Sequence, residues 1–182
     1  MRARLLALAM AIGLVGQTGS AAAAPLRMFA YDAADAATRR ASGALTFEFR
    51  QHWITTQVTR VNATYGQASA SLREAQDRDL GAPLGAIIGE TARERDLYEV
   101  MPDGEGAAMV RAFCPGATRA WLAMGRLRAN LPLRVHVLGS TTTGGAARVC
   151  TTLNFDFHGE WRGPRPRDSV PQNAIRPPRF PF

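Results

Sequence analysis

The sequence predicts an α+β domain: a mainly antiparallel sheet with two or three helices packed on one face. Three observations carry that expectation. Apolar and polar residues alternate with a period of two near residues 44–50, 132–139 and 147–158, the mark of half-buried strands. The Thr/Gly-rich stretch Ser140 to Ala146 joins the last two runs as a hairpin. Between the first run and these, apolar residues recur at helical spacing.

The chain opens with Arg2 and Arg4, an apolar run from Leu5 to Val15, and a small, polar stretch from Gln17 to Ala24. That order is a secretory signal peptide, and the run falls short of the roughly 20 residues that a spanning helix needs. Cleavage after Ala23 leaves a mature start at Ala24, so residues 1–23 form the signal, 24–160 one α+β domain and 161–182 an extended basic tail. No cysteine lies near the cut and no later segment is apolar enough to span a membrane, so the expected location is the periplasm or the extracellular medium.

Residues 25–43 read as a polar, alanine-rich lead-in. Leu45, Phe47 and Phe49 alternate with Thr46, Glu48 and Arg50 as the first strand. Ile54, Val58, Val61, Tyr65, Ala68 and Leu72 are spaced 4, 3, 4, 3, 4, a helical stripe. The intervening threonines are weak helix formers, so a strand or hairpin over 54–65 stays open as the rival. Mixed charges over 69–80 extend the helix, and Gly81 to Pro83 breaks it. A second helix is expected from Leu84 to Val100, and a short one from Ala107 to Phe113, ended by Cys114-Pro115-Gly116. Residues 119–128 form another strand. In the hairpin, a loop centred on Thr143 sets Val137 opposite Val149 and His136 opposite Cys150, which places Cys150 on the polar-patterned face.

All 22 basic residues are arginine. A high-GC coding bias explains this together with the abundance of Ala, Gly and Pro, and points to a bacterial source. The net charge of +7 divides unevenly. Residues 1–23 hold two arginines; the tail holds five (162, 165, 167, 176, 179) against Asp168, giving +4; the body holds 15 arginines and 14 acids, giving +1. A nearly neutral body, on an exported chain, argues against nucleic acid as a partner.

Cys114 and Cys150 are the only cysteines. An even pair in an oxidising compartment reads as a disulfide; their spacing fits no metal motif. Asp156 and His158 share a strand face and are the weak catalytic candidates. His52 and His136 lie too far from His158 in sequence register to share a metal. Ser140 to Gly145 lacks the lysine and helix of a phosphate-binding loop. Asp103-Gly104-Glu105 offers too few oxygens for calcium, and Asn62-Ala63-Thr64 is a sequon of the kind that arises by chance. No cofactor and no metal are expected.

The tail from Gly163 to Phe182 holds six prolines and ends Arg179-Phe180-Pro181-Phe182, a composition that favours extended backbone. It reads as a solubilising tail, as an arm that wraps its own sheet, or as a docking arm with Arg176, Arg179, Phe180 and Phe182 as its contacts. The function expected from these features is a non-enzymatic accessory protein that binds a protein partner in the cell envelope. An enzyme built around Asp156 and His158 is the alternative, as is a small-ligand or glycan binder using Trp53, Trp121 or Trp161.

Overall fold

The computed structural model describes residues 25–52, 55–65, 68–142 and 145–163. Residues 1–23, the expected signal peptide, and the tail residues Arg176, Arg179, Phe180 and Phe182 lie outside the described residues, as do Trp53, Ile54 and Thr143.

The chain folds as a closed antiparallel barrel of eight strands in sequential order, not as an open sheet with helices on one face. The strands are β1 (Leu26–Ala33), β2 (Leu45–His52), β3 (Thr55–Ala63), β4 (Ala68–Glu74), β5 (Asp96–Val100), β6 (Arg119–Met124), β7 (Leu133–Ser140) and β8 (Arg148–Arg162). Closure comes from β1, which pairs with β2 on one side and β8 on the other. The expected lead-in over 25–43 is therefore the closing strand, followed by α1 (Ala36–Ala41). The expected helix over 54–72 is β3 and β4, so the strand rival holds. The expected helix from Leu84 to Val100 shrinks to α2 (Leu84–Ile88) before β5 begins. The short third helix is α3 (Gly106–Phe113).

Eight strands enclose an interior just wide enough for side chains to fill. Aromatic rings fill much of this one. Phe29 packs edge-on against Phe49 and Phe157, with ring centroids 4.7 and 5.4 Å apart, and Tyr31 meets Phe157 at 5.6 Å. Burial alone stabilises each such side chain by roughly 1.5–3 kcal/mol. Both barrel ends are covered. At one end α3 turns Met109, Val110 and Phe113 inward, the i, i+1, i+4 set that shares a helix face. At the other end Arg27 lies over the rings of Phe29 and Phe49, 5.4 Å from each centroid. Glu160 holds it there through an ion pair of 2.8 Å, and Gln51 accepts a further hydrogen bond.

A second, smaller core lies outside the barrel. After β4 the chain makes a 3-10 turn (Asp77–Leu80) and α2, and Leu80 and Leu84 pack on Trp121, Ala123 and Leu138. The Ala147 N–H donates to the Leu80 carbonyl at 2.8 Å. This cover explains why Ala120 to Met124 is buried on both faces and shows no alternation.

Three β-bulges break the ladders. Glu48 pairs with Arg60 and Phe49 with Val58, leaving Thr59 over. Ala30 pairs with Gly159 and Tyr31 with Phe157, leaving His158 over. Leu138 pairs with Val149 and Val137 with Thr151, leaving Cys150 over. The last bulge corrects the expected hairpin register. His136 stands opposite Thr152, not Cys150, and Cys150 packs against the interior core rather than lying on the polar face.

No helix among the described residues is long and apolar enough to cross a membrane. The strands point exposed Arg50, Arg60, Arg134 and Asp156 outward, the reverse of the apolar outer band of a lipid-facing barrel.

Candidate functional site

The bulge at His158 builds an exposed aromatic pair on the outer wall. An extra residue re-aims its side chain, and His158 Nδ1 lies 2.7 Å from Asp32 Oδ2 on the neighbouring strand. Gly159 follows. A β-carbon there would stand 3.3 Å from the Trp161 ring, so glycine lets the indole fold back along β8. The two rings then stack, with centroids 5.9 Å apart and planes within 12°. Trp161 stays 47% exposed. Asp156 stands directly opposite Asp32 in the ladder, where like charges repel, and His158 is the cation-capable group beside them. The result is a flat platform of two aromatic rings bordered by two carboxylates, at the strand end from which the basic tail departs.

Of the sequence-derived candidates, Asp156 and His158 both lie on this outer face, but the hydrogen-bond partner of His158 is Asp32. Asp32 escaped the sequence reading because it sat in the expected lead-in. The alternation of Phe29 and Tyr31 with Ala30 and Asp32 was the signal that could have found it. Trp121 is fully buried under the outer cover, with the Arg119 guanidinium 4.7 Å above its ring. Its indole Nε1 has no hydrogen-bond partner among the described residues. It belongs to the core and is no platform for a ligand.

A second polar line crosses β7 and β8. Thr152 Oγ1 is 3.0 Å from His136 Nδ1, and His136 Nε2 is 3.6 Å from Glu94. Glu94 comes from the segment that covers the barrel and is itself buried. Beside it Arg93, Arg126 and Arg134 border a hollow of about 280 Å³. Below, Asn154 donates to Asp35 Oδ2 at 3.1 Å. Asp35 caps α1 by accepting the Thr38 N–H at 2.7 Å. That N–H first, then Asn154, holds the Asp35 carboxyl below the ordinary aspartate range. This network fastens helix and cover to the barrel wall.

No family model matches the chain, and no curated protein and no solved structure matches it.

Cys114 and Cys150 stand at disulfide distance, with Cα atoms 5.2 Å apart and a separation of 36 positions in sequence. Gly139 makes the room. A β-carbon at that position would run into Cys114 Sγ and stand 2.9 Å from Cys150 Sγ. The pair ties the end of α3 to the bulge of β8, across the barrel mouth that α3 covers.

Proposed function

We propose that this chain is an exported, non-enzymatic binding protein, periplasmic or secreted, which meets a protein partner of the cell envelope through its outer surface. The observation that carries the reading is the filled interior. Rings of Phe29, Tyr31, Phe47 and Phe155, each at most 3% exposed, occupy the space that a ligand-carrying barrel would keep open. Recognition is left to the outside. There, Trp161 on His158 is a rigid aromatic anchor of the kind that dominates interface energetics. It sits beside the start of the tail that carries Arg176, Arg179, Phe180 and Phe182. The signal-like start and the cysteine pair at disulfide distance favour an oxidising compartment.

A photo-crosslinking residue at position 161, in cells that export the protein, tests this reading. A discrete adduct is expected from position 161, absent from the exposed outer position 134, which pairs with Asn154 seven residues along β8 from Trp161, and weakened by deletion of residues 164–182. Equal labelling from both positions would count against it. The exposed indole stacked on His158, beside the Asp32 and Asp156 pair, favours a second reading, a glycan binder, in which the ring stacks on a sugar and the carboxylates accept hydrogen bonds from its hydroxyls. Saturable quenching of Trp161 fluorescence by soluble oligosaccharides would support that alternative.

A further inference from the structure

β4 does not keep one pair of neighbours along its length. Its first half pairs with β3, from Ala63↔Ala68 to Arg60↔Ser71. Its second half pairs with β5, from Leu72↔Val100 to Glu74↔Tyr98. Hydrogen bonds from Met101 to Ser71 and from Ala75 to Leu97, both 2.9 Å, extend that second ladder. Where β4 changes partners, two wedges open in the wall. One lies between the start of β4 and the chain after β5, and α3 fills it. Gly106 presses so closely on the Met101 carbonyl that no side chain could replace its hydrogen, and a β-carbon there would be 3.5 Å from Ala70. The other wedge lies between Thr55 to Thr59 of β3 and the end of β4. It is a cleft of about 450 Å³.

This second wedge has features that point to a ligand. Thr55 to Val58 pair with β2 on one side, and among the described residues they have no ladder partner on the other. One edge group is met by a side chain: the hydroxyl of Tyr98, which lies along the cleft, hydrogen-bonds to the Val58 backbone. Backbone groups two residues apart on a strand point the same way, so the N–H and C=O of Thr56 also face the wedge. Four charged residues line it, Glu74 and Asp96 with Arg95 and Arg126. Among the described residues none of the four is in an ion pair.

We propose that this wedge binds an extended peptide segment of a partner protein, which adds as a strand alongside Thr55 to Thr59 and carries charged side chains of both signs. Unpaired amide and carbonyl groups on a strand edge are a template for another backbone. The paired signs on the rim match a peptide with one cation and one anion, and the Tyr98 ring offers an apolar contact to the side chain that points inward. The site is separate from the Trp161 platform, from which it is three strands distant around the wall.

The probe is Lys-Thr-Val-Thr-Glu-amide with fluorescein joined to its N-terminal amine through an aminohexanoyl linker, so that the lysine keeps its charge, titrated by anisotropy against the full mature chain. Saturable binding is expected, with amide NMR shifts concentrated at residues 55–59 and 72–75. A probe N-methylated on alternate amides keeps the side chains and loses one hydrogen-bonding edge; it should bind at least tenfold more weakly. Thr56→Pro removes a wedge-facing N–H and should give a similar loss. The N-methylated probe requires no change to the protein, so the test stands even where that variant folds poorly. No saturable binding, or equal binding of the N-methylated probe, overturns the proposal. Binding that emerges only after deletion of residues 164–182 overturns the assignment to a partner and gives the cleft to the chain's own tail.

Discussion

Replacing Gly139 by alanine tests whether the barrel mouth is built around a Cys114–Cys150 bond. The bridge would close a loop of 36 residues, which the chain-entropy model values at about 4 kcal/mol. That is a large share of the roughly 5–15 kcal/mol that holds a domain together. Gly139 has no positive φ, so alanine is allowed by the backbone and would by itself gain about 0.4–1 kcal/mol from a stiffer unfolded chain. The added methyl, however, meets Cys114 Sγ, Cys150 Sγ and Ala117 Cβ, and overpacking of that kind costs about 1–3 kcal/mol. With both cysteines changed to alanine the sulfur contacts vanish and the same methyl has somewhere to go. The expected outcome is a non-additive cycle. Gly139→Ala lowers stability in the oxidised protein and is near neutral in Cys114→Ala/Cys150→Ala, a coupling on the order of 1–2 kcal/mol. Urea unfolding of the four proteins measures it. Equal costs in both backgrounds, or two titratable thiols in the denatured, unreduced protein, would refute the reasoning.

Glu99 is buried between Arg73 and Arg119 on the outer wall, and Arg73 is largely exposed. Removing both arginines leaves a buried carboxylate alone and should cost about 3 kcal/mol, whereas Glu99→Ala lets the arginines turn to water and should cost nearer 1; thermal melts of the two variants give the order. Burial pushes the hydroxyls of Tyr31 and Tyr98 up to about 12 from 10. Because the unfolded chain ionises first, their stabilisation is intact below pH 10 and fades as pH rises toward 12; phenolate absorbance should therefore rise together with loss of the fold. The Asp35 carboxyl is held low by the Thr38 N–H, so its stabilisation is present at neutral pH and is lost as pH falls below the usual aspartate range. Asp35→Asn keeps a cap and should melt above Asp35→Ala at pH 7, while both lose that acid dependence.

The parts of the fold that were legible in sequence are those where one face is apolar and the ladder is regular. The alternation of Leu133, Val135 and Val137 reads directly onto β7, and that of Leu153 and Phe155 onto β8. Leu45, Phe47 and Phe49 do the same for β2, since all three are buried in the barrel. Residues 119–128 read as a strand without alternation; the strand ends at Met124, and the outer cover supplies the reason its alternation is missing. The fold class failed on four strands. β1 hid its Phe29 and Tyr31 beside an arginine that itself faces inward. β4 and β5 are too short, at seven and five residues, to declare a period.

The bulges explain the remaining errors, because a bulge rewrites periodicity locally. On β3 the inward residues are Val58, Val61 and Ala63. Their spacing of three and then two arises because Thr59 is the extra residue of the ladder. Placed between Ile54 and Tyr65, that interval of three is indistinguishable from a helical stripe, so the false helix and the bulge are one feature read at two levels. The same device moved Cys150 to the inner side of β8 and aimed His158 at Asp32. A period-two reading carries a register forward unchanged, and each inserted residue flips it. Two of the three bulges hold residues that the sequence had singled out, Cys150 and His158. Those side chains point where the ladder alone would not send them. The candidate site was thus named by residue type but could not be assembled, since the partner of His158 lies on a strand 126 residues away that only barrel closure brings alongside.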